Sequence, residues 1–195
     1  MTFLTLPLLL VLALALSLHA EPAAQTAKLI AAAKRQVGVT VTYDPAYVKL
    51  AYPGGDVPED RGVCTDVVIR AFRALGIDLQ QLVHEDMTRA FSKYPREWGL
   101  AKPDANIDHR RVPNLMRFFE RTGRKLAVSR KPEDYRPGDL VTVIVPPHLP
   151  HIMLVSDVPS PAEPKRMQVV HNIGAGAQME DRLFEFEIIG HYRYW

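Results

Sequence analysis

The chain has 195 residues, of which 47% are hydrophobic and 24% are charged, and 24 Lys and Arg against 22 Asp and Glu leave a formal charge of +2. This length and composition fit one globular domain and exclude a disordered or fibrous chain. So small a positive excess excludes the basic footprint of a nucleic-acid-binding protein. A single cysteine excludes an internal disulfide framework and a four-thiolate zinc site.

Residues 1–20 have the pattern of a secretory signal peptide. Residues 2–20 contain no Asp, Glu, Lys or Arg, and residues 8–16 are an unbroken run of Leu, Val and Ala. That run is too short to span a bilayer comfortably, and the small residue Ala20 follows it. We therefore expect cleavage near Ala20 and a periplasmic or secreted protein with no membrane attachment. An uncleaved anchor is the alternative, because the basic residues that usually precede the apolar run are absent.

The mature chain, residues 21–195, is expected to form a single domain. Apolar residues at helical spacing predict helices over residues 25–37, 64–75, 78–94 and 113–122. A loop rich in Tyr and turn-forming residues spans residues 43–62. Alternating apolar residues then predict strands over residues 125–128, 139–145, 152–156, 167–171 and 184–195. Helices followed by strands indicate an α+β fold, with N-terminal helices packed on a C-terminal antiparallel sheet.

Cys64 opens the predicted helix over residues 64–75. Free backbone N–H groups and the positive end of the helix dipole favour the thiolate, so we expect an activated thiol at this position. The same N–H groups can stabilise an oxyanion. The alternative is an ordinary buried cysteine, although an unpaired thiol in an exported protein invites oxidation and so indicates use.

Two histidines are candidate partners for the thiol. His151 begins an apolar strand and His171 ends the next one, so pairing of these strands as a hairpin brings the two rings close together. For each ring the alternative is a hydrogen-bonded structural histidine. A metal site would draw on His148, His151 and His171 with Asp157 or Glu180. The tight helical spacing typical of metal-binding histidines is absent, so we expect neither a metal nor any other cofactor.

Several of these runs together resemble known families. The chain resembles NlpC-type cell-wall cysteine peptidases of the papain-like superfamily in the runs Tyr52-Pro53-Gly54-Gly55, Cys64-Thr65-Asp66-Val67-Val68, Gly138-Asp139-Leu140-Val141 and His151-Ile152-Met153-Leu154-Val155, followed by His171. More closely, residues 61–67, 106–111 and 171–174 are similar to a bacterial family catalogued as domain of unknown function 1287. That likeness covers nearly all of the mature chain.

The resemblance implies a papain-like fold with Cys64 as nucleophile, His151 as base and His171 as the residue that orients the base. Asn172 is the alternative orienting residue, because neighbours on a strand point to opposite faces. The implied reaction is hydrolysis of an amide bond through a thioester. The implied partner is the peptide stem of peptidoglycan.

Four more residues are expected at the cleft. Tyr52, with Tyr47 as the alternative, is expected to line it near the sulfur. Asp66 lies in the first helical turn, where it also suits the helix dipole. Arg110 and Arg111 are expected to bind substrate carboxylates in bidentate fashion. The alternative for the charged run 104–111 is a solvated surface.

Two other functions use the same residues differently. A catalytically idle protein of this fold would bind cell-wall peptides or another exported protein. A thiol-dependent acyl transferase would pass the acyl group from the sulfur to an acceptor other than water. We expect a monomer in each case.

Overall fold

The computed structural model describes residues 22–195. The expected signal peptide and its cleavage point lie outside the described residues. Within residues 22–195, every helix is too short or too polar to cross a bilayer.

Four helices form close to their predicted positions because local signals set their ends. The helices are α1 (residues 22–34), α2 (Cys64–Arg73), α3 (Leu79–Ala90) and α4 (Val112–Arg121). The Asp78 carboxylate caps α3 by accepting a 3.0 Å hydrogen bond from the Gln80 N–H. Pro113 lies in the first turn of α4, where its missing N–H costs nothing.

The strands form one antiparallel sheet and one small pair. The sheet has the order β3-β8-β4-β5-β6-β7. Its strands are β3 (Lys125–Leu126), β4 (Leu140–Val145), β5 (Leu149–Pro159), β6 (Met167–Asn172), β7 (Ala177–Glu180) and β8 (Glu187–Tyr192). The prediction of an α+β fold with an antiparallel sheet is confirmed. The loop over residues 43–62 was expected to be irregular, but its two ends contribute a parallel pair, β1 (Thr42–Tyr43) and β2 (Arg61–Gly62).

Side chains alternate between the two faces of the sheet, and each face has its own apolar cluster. Ile152 and Leu154 of β5 pack with the helices, in the cluster that contains Cys64. Met153 and Val155 lie on the opposite face, in a second cluster with neighbouring strand residues. The central strand β5 is therefore covered on both faces.

Asp139, from the Gly-Asp-Leu run, holds the C-terminal strand in place. It accepts a 2.7 Å hydrogen bond from His191 Nε2 and two from the Arg193 guanidinium, each also 2.7 Å long. Burial disfavours its ionised form, yet these hydrogen bonds outweigh burial and hold the pKa of Asp139 below its usual value. Each carboxylate oxygen of Asp139 therefore accepts a hydrogen bond from the C-terminal strand or the residue after it.

Candidate functional site

Cys64 is the first residue of α2, and the loop before it fixes its position. Val63 is extended, with φ −114° and ψ −176°. The Asp66 carboxylate reaches back and accepts a 2.7 Å hydrogen bond from the Val63 N–H. Gly62 is required by close approach, because a Cβ there would lie 2.9 Å from Oδ2 of Asp66. Asp66 therefore holds the cysteine at the helix N-terminus.

The Cys64 thiol is buried, with 4% of the residue exposed. Burial raises the pKa of the thiol to about 11. The backbone N–H of Ile152 hydrogen-bonds to the sulfur and opposes this rise, as do those of Thr65 and Cys64, while the charge of Asp66 adds to it. We expected the helix N-terminus to lower this pKa. That expectation is wrong, because the loss of water around the sulfur outweighs the backbone donors.

His151 and His171 lie on one face of the sheet and hydrogen-bond to each other. The β5–β6 register pairs Leu154 with Val170, so His171 falls opposite Met153, two residues from His151 on the same face. His151 Nε2 lies 2.8 Å from His171 Nδ1. Of the two candidate orienting residues, His171 is the one that contacts His151.

Two further contacts complete this arrangement. His171 Nε2 lies 3.0 Å from Oε2 of Glu180 on β7. The Asn172 side chain points to the opposite face, where its Nδ2 donates a 2.9 Å hydrogen bond to the Gly62 carbonyl. Asn172 therefore supports the loop that carries Cys64, and Glu180 extends the histidine pair into a chain of three groups.

The sulfur contacts the strand that carries His151. The Ile152 N–H bonded to it belongs to the peptide after His151, and Pro150, just before His151, lines the same cleft as Cys64. Within residues 22–195, no hydrogen bond joins the sulfur to the His151 ring. Alternation along β5 places that ring on the face of Met153, opposite the cluster that contains Cys64. A direct contact between the sulfur and the His151 ring stays a prediction.

Both histidines are neutral at pH 7. Burial, followed by the charge of a protonated His171, lowers the pKa of His151 to about 3. Burial also lowers the pKa of His171, although the Glu180 carboxylate opposes this change. Each ring therefore carries one N–H, and the resting site contains a neutral thiol and neutral imidazoles.

A cleft of about 490 Å³ opens at Cys64. Tyr43 lines it beside the sulfur, and burial, followed by the charges of Cys64 and Asp66, raises the pKa of Tyr43 to about 12. The phenol is therefore a neutral hydrogen-bond donor at the cleft. Trp98 and Tyr47 contribute partly exposed aromatic rings to the same cleft.

Tyr52, the tyrosine expected at the cleft, lies elsewhere. Tyr52 is not among the residues that line it and packs edge-on against His84, with 5.0 Å between ring centroids. Tyr47, the alternative, does line the cleft, and its hydroxyl donates a 2.9 Å hydrogen bond to Asp104.

Arg110 and Arg111 differ in what they contact. Arg110 is buried and forms a bidentate ion pair with Asp66, with both nitrogen–oxygen distances 2.9 Å. Arg111 stacks on Trp98, with its guanidinium carbon 4.1 Å from the ring centroid, and bonds Asp108 at 3.2 Å through Nη1. Arg110 also lines the cleft, and its guanidinium donates to the carbonyls of Asp44 and Ala46 as well as to Asp66. That Arg110 and Asp66 contact substrate stays a prediction. Arg111 keeps donors open to the cleft.

The charged run 104–111 is packed against the helices. Asp108, His109 and Arg110 are buried, and the Asp108 carboxylate binds the Asp104 backbone N–H at 2.5 Å. The alternative of a solvated surface is therefore wrong for these residues. Arg110 is buried with a partner across the fold, Asp66, whereas Asp108 is bound by its neighbours Asp104 and Arg111.

The histidines considered for a metal site differ in their surroundings. His148 lies in the exposed turn before β5, whereas His151 and His171 are buried. In the part of the chain from residue 22 onward, no three His, Cys, Asp or Glu side chains are grouped as metal ligands.

Comparison with known proteins identifies the family. The family model described as "Domain of unknown function (DUF1287)" matches residues 30–194. The chain belongs to the DUF1287 family. The uncharacterized protein YijF of Escherichia coli (strain K12) is 55% identical over 163 residues, which cover 84% of this chain and 78% of that protein. No solved structure matches the chain significantly.

The resemblance to the DUF1287 family is therefore confirmed, and the NlpC-type resemblance stays a prediction. Sequence reasoning missed three residues at the site: Tyr43, Trp98 and Glu180. The Tyr-rich loop gave a signal for Tyr43. Only the fold itself brings Trp98 beneath Arg111 and Glu180 beside His171.

Proposed function

We propose that this protein is an exported cysteine hydrolase of the papain-like, NlpC type, which cleaves an amide bond through a thioester on Cys64. One observation carries the proposal. The chain's single cysteine begins a buried helix at a cleft, against the strand that holds the hydrogen-bonded pair His151 and His171. A nucleophile, a base and a group that orients the base are the parts this chemistry needs.

In the first half of the reaction, Cys64 attacks the substrate carbonyl carbon while its proton passes to Nδ1 of His151. The carbonyl electron pair moves to oxygen, and the backbone N–H groups at the start of α2 stabilise the oxyanion. The carbon–nitrogen bond then breaks, and the His151 imidazolium gives its proton to the leaving amine. The acyl group remains on sulfur as a thioester.

In the second half, water attacks the thioester carbonyl. His151 accepts a proton from the water, the carbon–sulfur bond breaks, and the proton returns to the Cys64 sulfur. The products are a carboxylic acid and the free thiol. This half of the cycle restores the neutral pair from which the first half began.

The timing of proton transfer follows from burial. Because burial raises the pKa of Cys64 to about 11 and lowers that of His151 to about 3, an ion pair does not form in the free protein. The proton therefore moves during attack. A hydrogen bond between the sulfur and the His151 ring has to form when substrate binds, since catalytic hydrogen bonds are often long or misaligned in the free protein.

Arg111 supports a substrate that carries a carboxylate. Its guanidinium is fixed by Asp108 on one side and by the Trp98 ring beneath it, and its remaining nitrogens are available to a ligand in the cleft. A planar guanidinium binds carboxylates in bidentate fashion. Outside the cytoplasm, the peptide stem of peptidoglycan is an amide-linked substrate with free carboxylates. This choice of substrate rests on family analogy.

A second candidate is a catalytically idle protein that binds cell-wall peptides in the same cleft. The raised pKa of Cys64 and the absence of a sulfur–imidazole hydrogen bond within residues 22–195 favour it. In that case the histidine pair stabilises the sheet, and the cleft serves for binding alone.

Digestion of intact peptidoglycan separates the two candidates. The purified protein is incubated with peptidoglycan, and the products are identified by mass spectrometry. A hydrolase releases fragments with a newly formed carboxyl and amine, and the Cys64→Ala and His151→Ala variants release none. His148→Ala is the matched control, since His148 lies in an exposed turn. Tight peptidoglycan binding without any fragment supports the idle protein.

A further inference from the structure

Glu180 contacts the second histidine of the site. It lies on β7, where Val169 of β6 is its partner in the ladder, so its side chain shares a face with His171, two residues further along β6. Its Oε2 is 3.0 Å from His171 Nε2 and 3.1 Å from the Arg182 guanidinium. The sequence pattern offered Glu180 only as one of two possible oxygen ligands for a metal.

We infer that Glu180 is a positioning residue, which sets the tautomers of both histidines so that Nδ1 of His151 is the unprotonated nitrogen. The consequence for catalysis rests on the proposed function. The tautomers themselves do not depend on it.

The Glu180 carboxylate determines where His171 carries its proton. A carboxylate only accepts hydrogen bonds, so His171 must carry its proton on Nε2. A neutral ring has one N–H, and burial keeps both rings neutral at pH 7. His171 Nδ1 is then an acceptor, and the 2.8 Å hydrogen bond has to come from the Nε2–H of His151. The lone pair of His151 is left on Nδ1, where a base needs it.

The hydrogen bond between the two histidines does not by itself select these tautomers. The 2.8 Å hydrogen bond is equally satisfied when His171 donates from Nδ1 and His151 accepts at Nε2. In that arrangement Nδ1 of His151 carries the proton and cannot take another from Cys64. The Glu180 carboxylate excludes this arrangement, because its oxygen would then face the unprotonated Nε2 of His171, and both atoms are hydrogen-bond acceptors. Its negative charge also stabilises the imidazolium that forms on His151 during attack.

The test is nuclear magnetic resonance of the ¹⁵N-histidine-labelled protein at pH 7. Long-range ¹H–¹⁵N correlations distinguish protonated from bare ring nitrogens, and the His151→Gln and His171→Gln variants assign the two rings. We expect a single tautomer at each ring, with the proton on Nε2. A proton on Nδ1 of His151 in the unmodified protein would overturn the inference, whatever any variant does.

Glu180→Gln then tests the cause. An amide can donate to His171 as well as accept from it, so we expect His151 to show a mixture of tautomers. Glu185→Gln is the matched control, because Glu185 also pairs with Arg182, at 3.2 Å, and hydrogen-bonds to neither ring. An unchanged His151 tautomer in a folded Glu180→Gln protein contradicts the inference.

Kinetics extend the test where the protein proves to be a hydrolase. Glu180→Gln is expected to lower kcat by about a hundredfold with KM little changed, since a wrong tautomer disables the base without touching the substrate. An unchanged kcat would contradict the positioning role. Absence of activity in the unmodified protein overturns the proposed function alone, because the tautomers are measured without substrate.

Discussion

Asp66 and Arg110, 44 residues apart in the chain, form a bidentate ion pair whose side chains are only 3% and 2% exposed. Asp66 also caps the turn that begins with Val63, and Arg110 also donates to the carbonyl of Ala46. The pair thus ties the helix that begins at Cys64 to a 3₁₀ turn, Asp108–Arg110, and to the loop that forms one wall of the cleft.

Loss of Arg110 is therefore expected to destabilise the fold. Arg110→Ala leaves the Asp66 charge buried without its partner, which typically costs about 3–5 kcal/mol. Denaturant unfolding measures the change, with Arg117→Ala as the control, because Arg117 forms an exposed pair with Glu120. Equal unfolding free energies for the two variants would show that the buried pair does not support the fold.

Arg111 is expected to act on binding instead. In the Cys64→Ala protein, Arg111→Gln is expected to weaken binding of a synthetic stem tetrapeptide by about ten- to a hundredfold, the usual value of a hydrogen bond to a charged group. Calorimetry measures the dissociation constant, and Arg117→Gln is the matched control outside the cleft. If Arg111→Gln weakens binding of a peptide with amidated carboxyls by the same factor, Arg111 does not bind a substrate carboxylate.

The different contacts of the adjacent residues Arg110 and Arg111 could not be predicted from the sequence. Arg110 is the last residue of the 3₁₀ turn Asp108–Arg110, and Arg111 after it has extended backbone, so the two side chains face different surroundings. Which one meets Asp66 depends on packing between segments 44 residues apart. No local pattern carries that information.

Much of the fold could be predicted because its signals are local. Asp78 caps a helix and Pro113 begins one at the positions their chemistry suits. Strand β7 was missed because it has only four residues, Ala177–Glu180, and so short a run is a weak signal even though apolar and polar side chains alternate in it. Glu180 was consequently missed as a partner of His171, since strand pairing alone brings them together.

Thiol reactivity is expected to rise steeply with pH. Because burial raises the pKa of Cys64 to about 11, little thiolate is present at pH 7, and iodoacetamide reacts slowly. We expect the second-order rate constant to increase about tenfold per pH unit from pH 7 to 10. The chain has one cysteine, so whole-protein mass reports on this site alone. A plateau below pH 8 would reveal a thiolate–imidazolium pair in the free protein.

Protein stability is expected to fall as the pH drops from 6.5 to 4.5. Burial, followed by the charge of Arg110, lowers the pKa of His109 to about 4, and burial lowers that of His151 to about 3. The unfolded chain therefore binds more protons than the folded one in this window, and stability increases with pH. Each histidine contributes about 1.4 kcal/mol per pH unit once it is protonated in the unfolded state.

Unfolding free energies at several pH values test this slope. His109→Gln is expected to reduce the dependence of the unfolding free energy on pH. His148→Gln is the control, because His148 lies in an exposed turn, and it is expected to leave this dependence unchanged. Carboxyl groups titrate mainly below this window, so they contribute little to the slope. A flat profile between pH 4.5 and 6.5 would mean that the buried rings are free to protonate in the folded protein.

Trapping the thioester tests the central claim most directly. The protein is mixed with an amide-linked stem peptide, quenched in acid within the first turnover, and weighed intact by mass spectrometry. We expect a mass increase equal to the acyl portion of the peptide, located on Cys64 after digestion, a much smaller adduct with His151→Ala and none with Cys64→Ala. Cleavage of the peptide by the Cys64→Ala protein would contradict the account, as would cleavage by the unmodified protein without any adduct on sulfur.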